Sequence, residues 1–462
     1  MEYLGKPNKK IIIIISMILL VGIISLIVYM LTKEKEEELP ENVISQEETN
    51  TNIDNSWKQT FHEIENYNIY YSVKGILNNY IKMIKEANGD EYIAFSRLKQ
   101  SKEEAIAGLQ QEATTAILEM YDDIYIENAN INEEKILENA QQYKQQGDYS
   151  KNMAYNLKIK EMYLGELSQT VNLIFVNFEI NGIEDNMLIK LDVQNRTYSI
   201  FGREYIDEKG YSTTTAIEDI EIDSQPVESN NYNTFDYIQA DEKYIVNQYF
   251  SEYQSQLLNN RQFAYQLLND EYREKKYENQ EEFDQYIEQN YESMQSMYLS
   301  EYQVHEFDEY KEYVCLDQNN RYYIFLEKSI TDYSVLLDTY TIDLKDFTDK
   351  YNGASTSMKV GMNAEKILSA INDKDYRYVY NKLDENFRNN TFGNLENFGV
   401  YMNDHFYNQN DIEYTDFTEE GNIYIYNATL KNAQDTEAEG KKLTIIMQLL
   451  EGTDFVMSFS LE

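Results

Sequence analysis

Residues 267–287 read LLNDEYREKKYENQEEFDQYI, and residues 382–402 read KLDENFRNNTFGNLENFGVYM. The second segment repeats the first in step, without a gap. Leu268, Arg273, Asn279, Glu281, Phe283 and Tyr286 recur as Leu383, Arg388, Asn394, Glu396, Phe398 and Tyr401. Tyr272, Tyr277 and Ile287 become Phe387, Phe392 and Met402. The polar positions between them drift: Asp270, Glu274 and Glu282 give way to Glu385, Asn389 and Asn397. A repeat that keeps its apolar positions and changes its polar ones preserves a core rather than an active site.

Working outward from the repeat, Val246, Tyr249, Phe250, Tyr253 and Leu257 fall at helical spacing, as do Val360, Ala364, Ile367, Leu368 and Ile371. Each set predicts an amphipathic opening helix. A second helical stretch follows, FAYQLLNDEY in one block and YVYNKLDENF in the next, with Ala264, Tyr265 and Leu268 on one face and Val379, Tyr380 and Leu383 on the other copy's matching face. Asn279, with Glu282 three residues on, predicts the N-cap of a third helix whose buried stripe is Phe283, Tyr286, Ile287 and Tyr291; Asn394 is the matching cap. The period then changes from 3.6 to 2. EYVCL, RYYIFLE and YSVLLDTYTIDL are expected strands with DQNN (317–320) as a tight turn, and NIYIYNATL, KKLTIIMQLL and DFVMSFSLE are their counterparts, with EGTD (451–454) as the last hairpin turn. An earlier block follows the plan more loosely. It has an opening helix over Val73–Lys85, a helical stretch around 89–110, and DIYIENANINEEKIL (123–137), where Tyr125, Ile131 and Leu137 mimic the spacing of Tyr272, Tyr277 and Phe283. Its strands are VNLIFVNFEI, NMLIKLDV and TYSIF. Helices followed by a meander predict an α+β fold, with helices on one face of a curved antiparallel sheet.

Outside these blocks, residues 11–32, IIIIISMILLVGIISLIVYMLT, are uncharged and would span about 33 Å as a helix. They predict a transmembrane helix. Lys6, Lys9 and Lys10 in the tail at 1–10 precede it and KEKEEE follows, which places the N-terminus in the cytoplasm and the rest outside. The run is longer than a signal-peptide core and no small-residue cleavage site follows; Cys315, the only cysteine, rules out a lipoprotein anchor. Residues 33–66 read as a polar stalk and 208–238 as a linker, because STTTAIEDIEIDSQPVESNNYN holds one of the three prolines. The blocks between are 67–207, 239–349 and 358–462, each the size of one domain.

The chain carries a net charge of −42; residues 1–32 contribute +2, leaving −44 on residues 33–462. So acidic a surface repels phosphate backbones, which argues against nucleic acid as a partner, and acids scattered among Lys and Arg read as solubility rather than as an interaction tail. One cysteine leaves no intrachain disulfide, so stability must come from packed cores, and 43 tyrosines supply apolar area for them. The sequence contains no GxSxG, HExxH, CxxC, Walker A or dinucleotide motif, and it assigns no catalytic residue, metal site or cofactor. Of the three histidines, His62, His305 and His405, the last follows the third helix of its block, but Asn290 stands at the matching place in the other copy, so a surface role is expected. Asp373 and Asp375 in NDKD lack the Gly and Glu of a calcium loop and read as a turn between helices. Cys315, within YVCL, is expected to be an inert core thiol.

This order of elements, with KDYRYVYNKLDENFRNNTF as its most telling segment, resembles the nuclear-transport-factor-2-like (SnoaL-type) cone fold. The plan of one anchor and tandem cone-like domains is similar to membrane-anchored proteins of AT-rich Gram-positive bacteria, among them conjugation scaffolds of the TcpC type. The resemblance implies a non-enzymatic, extracytoplasmic binding or scaffold protein of the cell envelope, with the membrane and other envelope proteins as partners and a conjugative type IV secretion system as the specific setting. The alternative is a small-molecule-binding or catalytic pocket in one cone-like domain, and the sequence names no ligand for it.

Overall fold

The computed structural model of the chain describes residues 60–89, 101–144, 155–435, 437 and 439–462. In the first block, Asn66 caps α1 (Tyr67–Ala87), its side chain accepting from the amides of Asn68 and Ile69, and Ser101 opens α2 (Lys102–Met120) with a capping box to Glu104. Two short helices follow, α3 (Asp123–Ala129) and α4 (Glu133–Gln141). A sheet of β1 (His62–Glu63), β2 (Leu157–Glu166), β3 (Val171–Ile180), β4 (Ile183–Asp192) and β5 (Thr197–Gly202) then runs antiparallel in that order, and α5 (Arg203–Lys209) leaves it. The second block has α6 (Glu242–Asn259), α7 (Arg261–Gln266), α8 (Asp270–Lys276) and α9 (Gln280–Gln295), then β6 (Leu299–Glu306), β7 (Lys311–Asp317), β8 (Tyr322–Ser329) and β9 (Asp332–Leu336). After α10 (Lys345–Gly353), the third block repeats this with α11 (Thr356–Asn372), α12 (Tyr376–Asn381), α13 (Glu385–Thr391) and α14 (Leu395–His405). Its sheet is β10 (Asn410–Glu420), β11 (Ile423–Asn432), β12 (Lys441–Leu449) and β13 (Phe455–Leu461).

The three blocks close in the same way. Tyr121, Leu268 and Leu383, each just before a short helix, form isolated parallel bridges with Ile200, Val335 and Met457 on the last strand of their own sheet. The next residue does two things. The amides of Asp122, Asn269 and Asp384 donate to the carbonyls of Ile200 (3.0 Å), Val335 (3.0 Å) and Met457 (2.7 Å). Their side chains accept from the first turns of α3, α8 and α13. Ten residues further on, Asn132, Asn279 and Asn394 cap α4, α9 and α14 through the amides of Lys135, Glu282 and Asn397. In this register Ile136, Phe283 and Phe398 are equivalent and fully buried, followed one turn later by Ala140, Ile287 and Met402.

Several sequence expectations are adjusted by these observations. In the first block Ile136, not Leu137, fills the place of Phe283. The position of Tyr277 falls to Asn130, which takes the left-handed conformation (φ 50°), so Ile131 supplies the apolar contact one residue later. Tyr291 is exposed, and Met294 completes the buried stripe of α9 instead. Each sheet has a long strand that periodicity missed, β2, β6 and β10, and each carries a β-bulge, at Ile159/Glu161, Leu299/Glu301 and Tyr414/Asp416. A bulge breaks the period-2 alternation on which the strand signal depends. The expected strand over 333–344 ends at Leu336, because the Asp338 carboxylate accepts from the amides of Tyr340 and Thr341 and turns the chain. The stretch expected as a linker packs along its course: Ile217, Ile220 and Ile222 are buried, and the Tyr198 amide donates to the Asn233 carbonyl.

The fold class needs one correction. The α+β description with three antiparallel sheets applies, but no helix among the described residues is long and apolar enough to cross a membrane. The segment at 11–32 to which that helix was assigned lies outside the described residues, as do the tail at 1–10 and residues 33–59 of the stalk. The fold described is thus the three α+β blocks alone, with no membrane-crossing helix among the described residues.

Apolar packing is divided unevenly. One continuous core runs through the first two blocks, from Phe61 to Leu337. The third block has its own, in which Val360, Ile367 and Ile371 of α11, Phe398 and Met402 of α14, and Leu443, Ile445 and Met447 of β12 meet, with Tyr340 from the preceding connection. Residues 338–462 expressed alone should therefore unfold in one cooperative thermal transition, and Phe398→Ala should lower the stability of that fragment by about 3–5 kcal/mol; a broad melt, or an unchanged one in the variant, would contradict the assignment of a separate core.

Candidate functional site

Among the clusters of buried polar side chains in the described residues, three bear on the block junctions or on acid–base chemistry. The first lies where the first block meets the second. In β8 the inward register runs Tyr323, Phe325, Glu327, so the pleat carries a carboxylate into an aromatic core. Glu327 accepts hydrogen bonds from the hydroxyls of Tyr67 on α1 and Tyr249 on α6, and the Tyr67 and Tyr313 hydroxyls are 3.2 Å apart. Burial, followed by the hydrogen bond to Glu327, holds the Tyr67 hydroxyl well above the ordinary tyrosine range; burial and the charge of Glu327 do the same for Tyr249. These phenols are donors at neutral pH and cannot serve as bases. Their chemical effect is to give hydrogen bonds to one buried carboxyl group.

The second cluster lies between the second and third blocks. The Lys276 ammonium, at the end of α8, reaches Asp338 at 3.1 Å and also contacts Asp375, with the Tyr340 hydroxyl at 2.8 Å. The side chains are 12% (Lys276), 3% (Asp338) and 11% (Asp375) exposed, which makes this a desolvated ion cluster and not a surface pair. Burial works against the Lys276 charge, yet Asp338 and Asp375 outweigh it and hold the ammonium above the ordinary lysine range. Burial pushes the Asp373 carboxyl up to about 6, against the pull of Lys276. Asp375 is also the N-cap of α12, accepting from the Tyr378 amide at 3.1 Å, and Lys374 between the two aspartates takes a left-handed turn (φ 62°). NDKD is thus a turn between helices whose negative charge is met by a lysine of the preceding block.

The third cluster is a pair. His305 on β6 and Glu312 on β7 face each other across the ladder, with His305 Nδ1 2.9 Å from Glu312 Oε1. Glu312 is buried, its Oε2 has no hydrogen-bond partner, and burial raises its carboxyl above the ordinary range while His305 opposes the shift. A half-exposed imidazole oriented by a buried carboxylate has the form of an acid–base pair.

The other residues singled out in the sequence do not join these clusters. His62 is exposed on β1. His405 is exposed at the end of α14, stacked on Tyr401 at 4.1 Å with Nδ1 2.9 Å from the Tyr401 carbonyl. Asn290 donates to the Tyr286 carbonyl and accepts from Arg321 at 2.6 Å. The aromatic stripes fill one another, with ring centroids of Tyr277 and Phe283 5.2 Å apart and those of Phe392 and Phe398 4.9 Å apart. Among the described residues, no group of three or more His, Cys, Asp or Glu side chains is placed to hold a metal ion. Sequence reading missed Glu327, Lys276, Asp338 and Glu312. Glu327 alone left a trace, as a charged residue on the inward register of an otherwise apolar strand.

Cys315 lies on the inward face of β7, fully buried, and burial pushes its thiol up to about 12. The folded protein should react with a thiol reagent only as fast as it unfolds, and labelling within seconds under native conditions would contradict this placement.

Compared with known proteins, the chain matches no family model, no curated protein and no solved structure.

Proposed function

We propose that the chain is an extracytoplasmic, non-catalytic binding or scaffold protein of the cell envelope, and that the three blocks form a platform for other envelope proteins. The observation that supports this reading is the use made of buried charge. Glu327 is met by hydroxyls from two blocks, and Lys276 by carboxylates on both sides of the next junction. A pocket protein would turn such groups toward its ligand; here they hold one block to the next. The acidic surface favours protein partners over nucleic acid. Its specific version, a component of a conjugative type IV secretion system, and the cone-fold affiliation both rest on the resemblance described above.

A second reading has its own support. His305 and Glu312 could serve a small-molecule or catalytic site in the second block, since an unpartnered carboxylate oxygen at full burial is costly unless something uses it. Crosslinking of the full-length protein in cells, with identification of the captured species, separates the two. The scaffold reading predicts envelope proteins, and secretion-channel proteins in its specific version. Turnover or tight retention of a small molecule by the purified protein, lost in His305→Ala without a change in melting temperature and with no envelope protein captured, would overturn it.

A further inference from the structure

The two junctions of this protein are built differently. The first two blocks share one apolar core, and their seam is sewn by the Tyr71–Tyr244 ring contact at 5.2 Å and by the amides of Ile238 and Ala240 donating to Ser72 and Asn68. The third block packs around a separate core. Across its boundary with the second block run ion pairs: Lys276 with Asp375, and Arg377 with Glu278 (3.0 Å) and Glu282 (2.8 Å). All of these come from the start of α12 on one side and from the end of α8 and the start of α9 on the other. The connection between the bodies turns at Asp338, whose carboxylate binds Lys276 and accepts from the amides of Tyr340 (3.1 Å) and Thr341 (2.8 Å).

From this we infer that the third block is a latched module: a second, separately folded body held against the first two by charge pairs and by the contacts of Ile342 and Leu344 with the first core, which swings about the connection at residues 337–344 when those pairs part. Opening an apolar seam exposes surface at about 25 cal/mol per Å² and is strongly resisted. Opening a charged seam exchanges ion pairs for hydration and recovers the desolvation cost of docking, so it is resisted less than opening an apolar one. Tyr340 has its ring in the third block's core, 5.1 Å from Tyr378, and gives up the contact of its hydroxyl with Lys276 on opening. The reading holds whether or not the chain is a scaffold, since it concerns only which body moves and what holds it.

Amide hydrogen exchange on the full-length protein tests the latch. Asp375→Asn keeps the cap on α12, because asparagine caps helices as well as aspartate does, while removing the charge that faces Lys276. Combined with Arg377→Gln, it should speed exchange of residues 337–355 about tenfold or more and leave β7, β8, β11 and β12 as protected as before. Arg377→Glu alone, at a partly exposed site facing Glu278 and Glu282, should produce a smaller increase in the same segment. Unchanged exchange at 337–355 in both variants would overturn the proposal. Faster exchange throughout the third block would also overturn it, since the charges would then be holding that block's own fold together.

Discussion

The structure depends on one residue used twice in each block. Asp122, Asn269 and Asp384 each give their backbone amide to the last strand of a sheet and their side-chain oxygen to the first turn of a short helix. The two bonds are individually modest, about 1 kcal/mol each. Their value lies in position. The helical half of each block and its meander are separate in sequence, and this residue ties the end of the second helical stretch to the strand that closes the sheet. With that distance set, the next cap at Asn132, Asn279 or Asn394 aims the following helix so that Ile136, Phe283 or Phe398 falls into the space between helices and sheet.

The repeat of 267–287 at 382–402 is the imprint of this closure. Its conserved apolar positions are the bridge residue Leu268 or Leu383, the ring of the short helix, and the buried stripe of the third helix. All of these could be read in the second and third blocks, because the closure and the caps use residue types with strong local meaning. The first block was harder to align. A longer helical insertion, α2, separates its opening helix from the bridge, and a left-handed Asn130 shifts its apolar residue by one position. Strands were legible where the pleat alternates cleanly and illegible where a bulge interrupts it. In β10 the signal is weaker still, since Asp411, Glu413, Asp416, Glu419 and Glu420 all face solvent.

The polar clusters were largely hidden. A single sequence shows that Lys276, Asp338 and Asp375 are charged, but not that folding brings them together across a junction. What could be read was the negative result that NDKD is a turn, and the physical reason is that Asp375 caps the next helix and meets a lysine ammonium. The same comparison separates the clusters by their capacity for chemistry. The tyrosines around Glu327 are held protonated by burial, and the Lys276 cluster is closed by its own counter-charges. His305 and Glu312 differ, because one buried oxygen there has no partner.

Three blocks of different length close through the same bond, and residue-resolved amide exchange measures that bond directly. The amides of Asp122, Asn269 and Asp384 should exchange as slowly as those of the strands they join, in all three blocks, although each lies outside regular secondary structure. Exchange at loop rates at any one of the three would mean that its block is closed by apolar packing alone, and the common closure would be refuted.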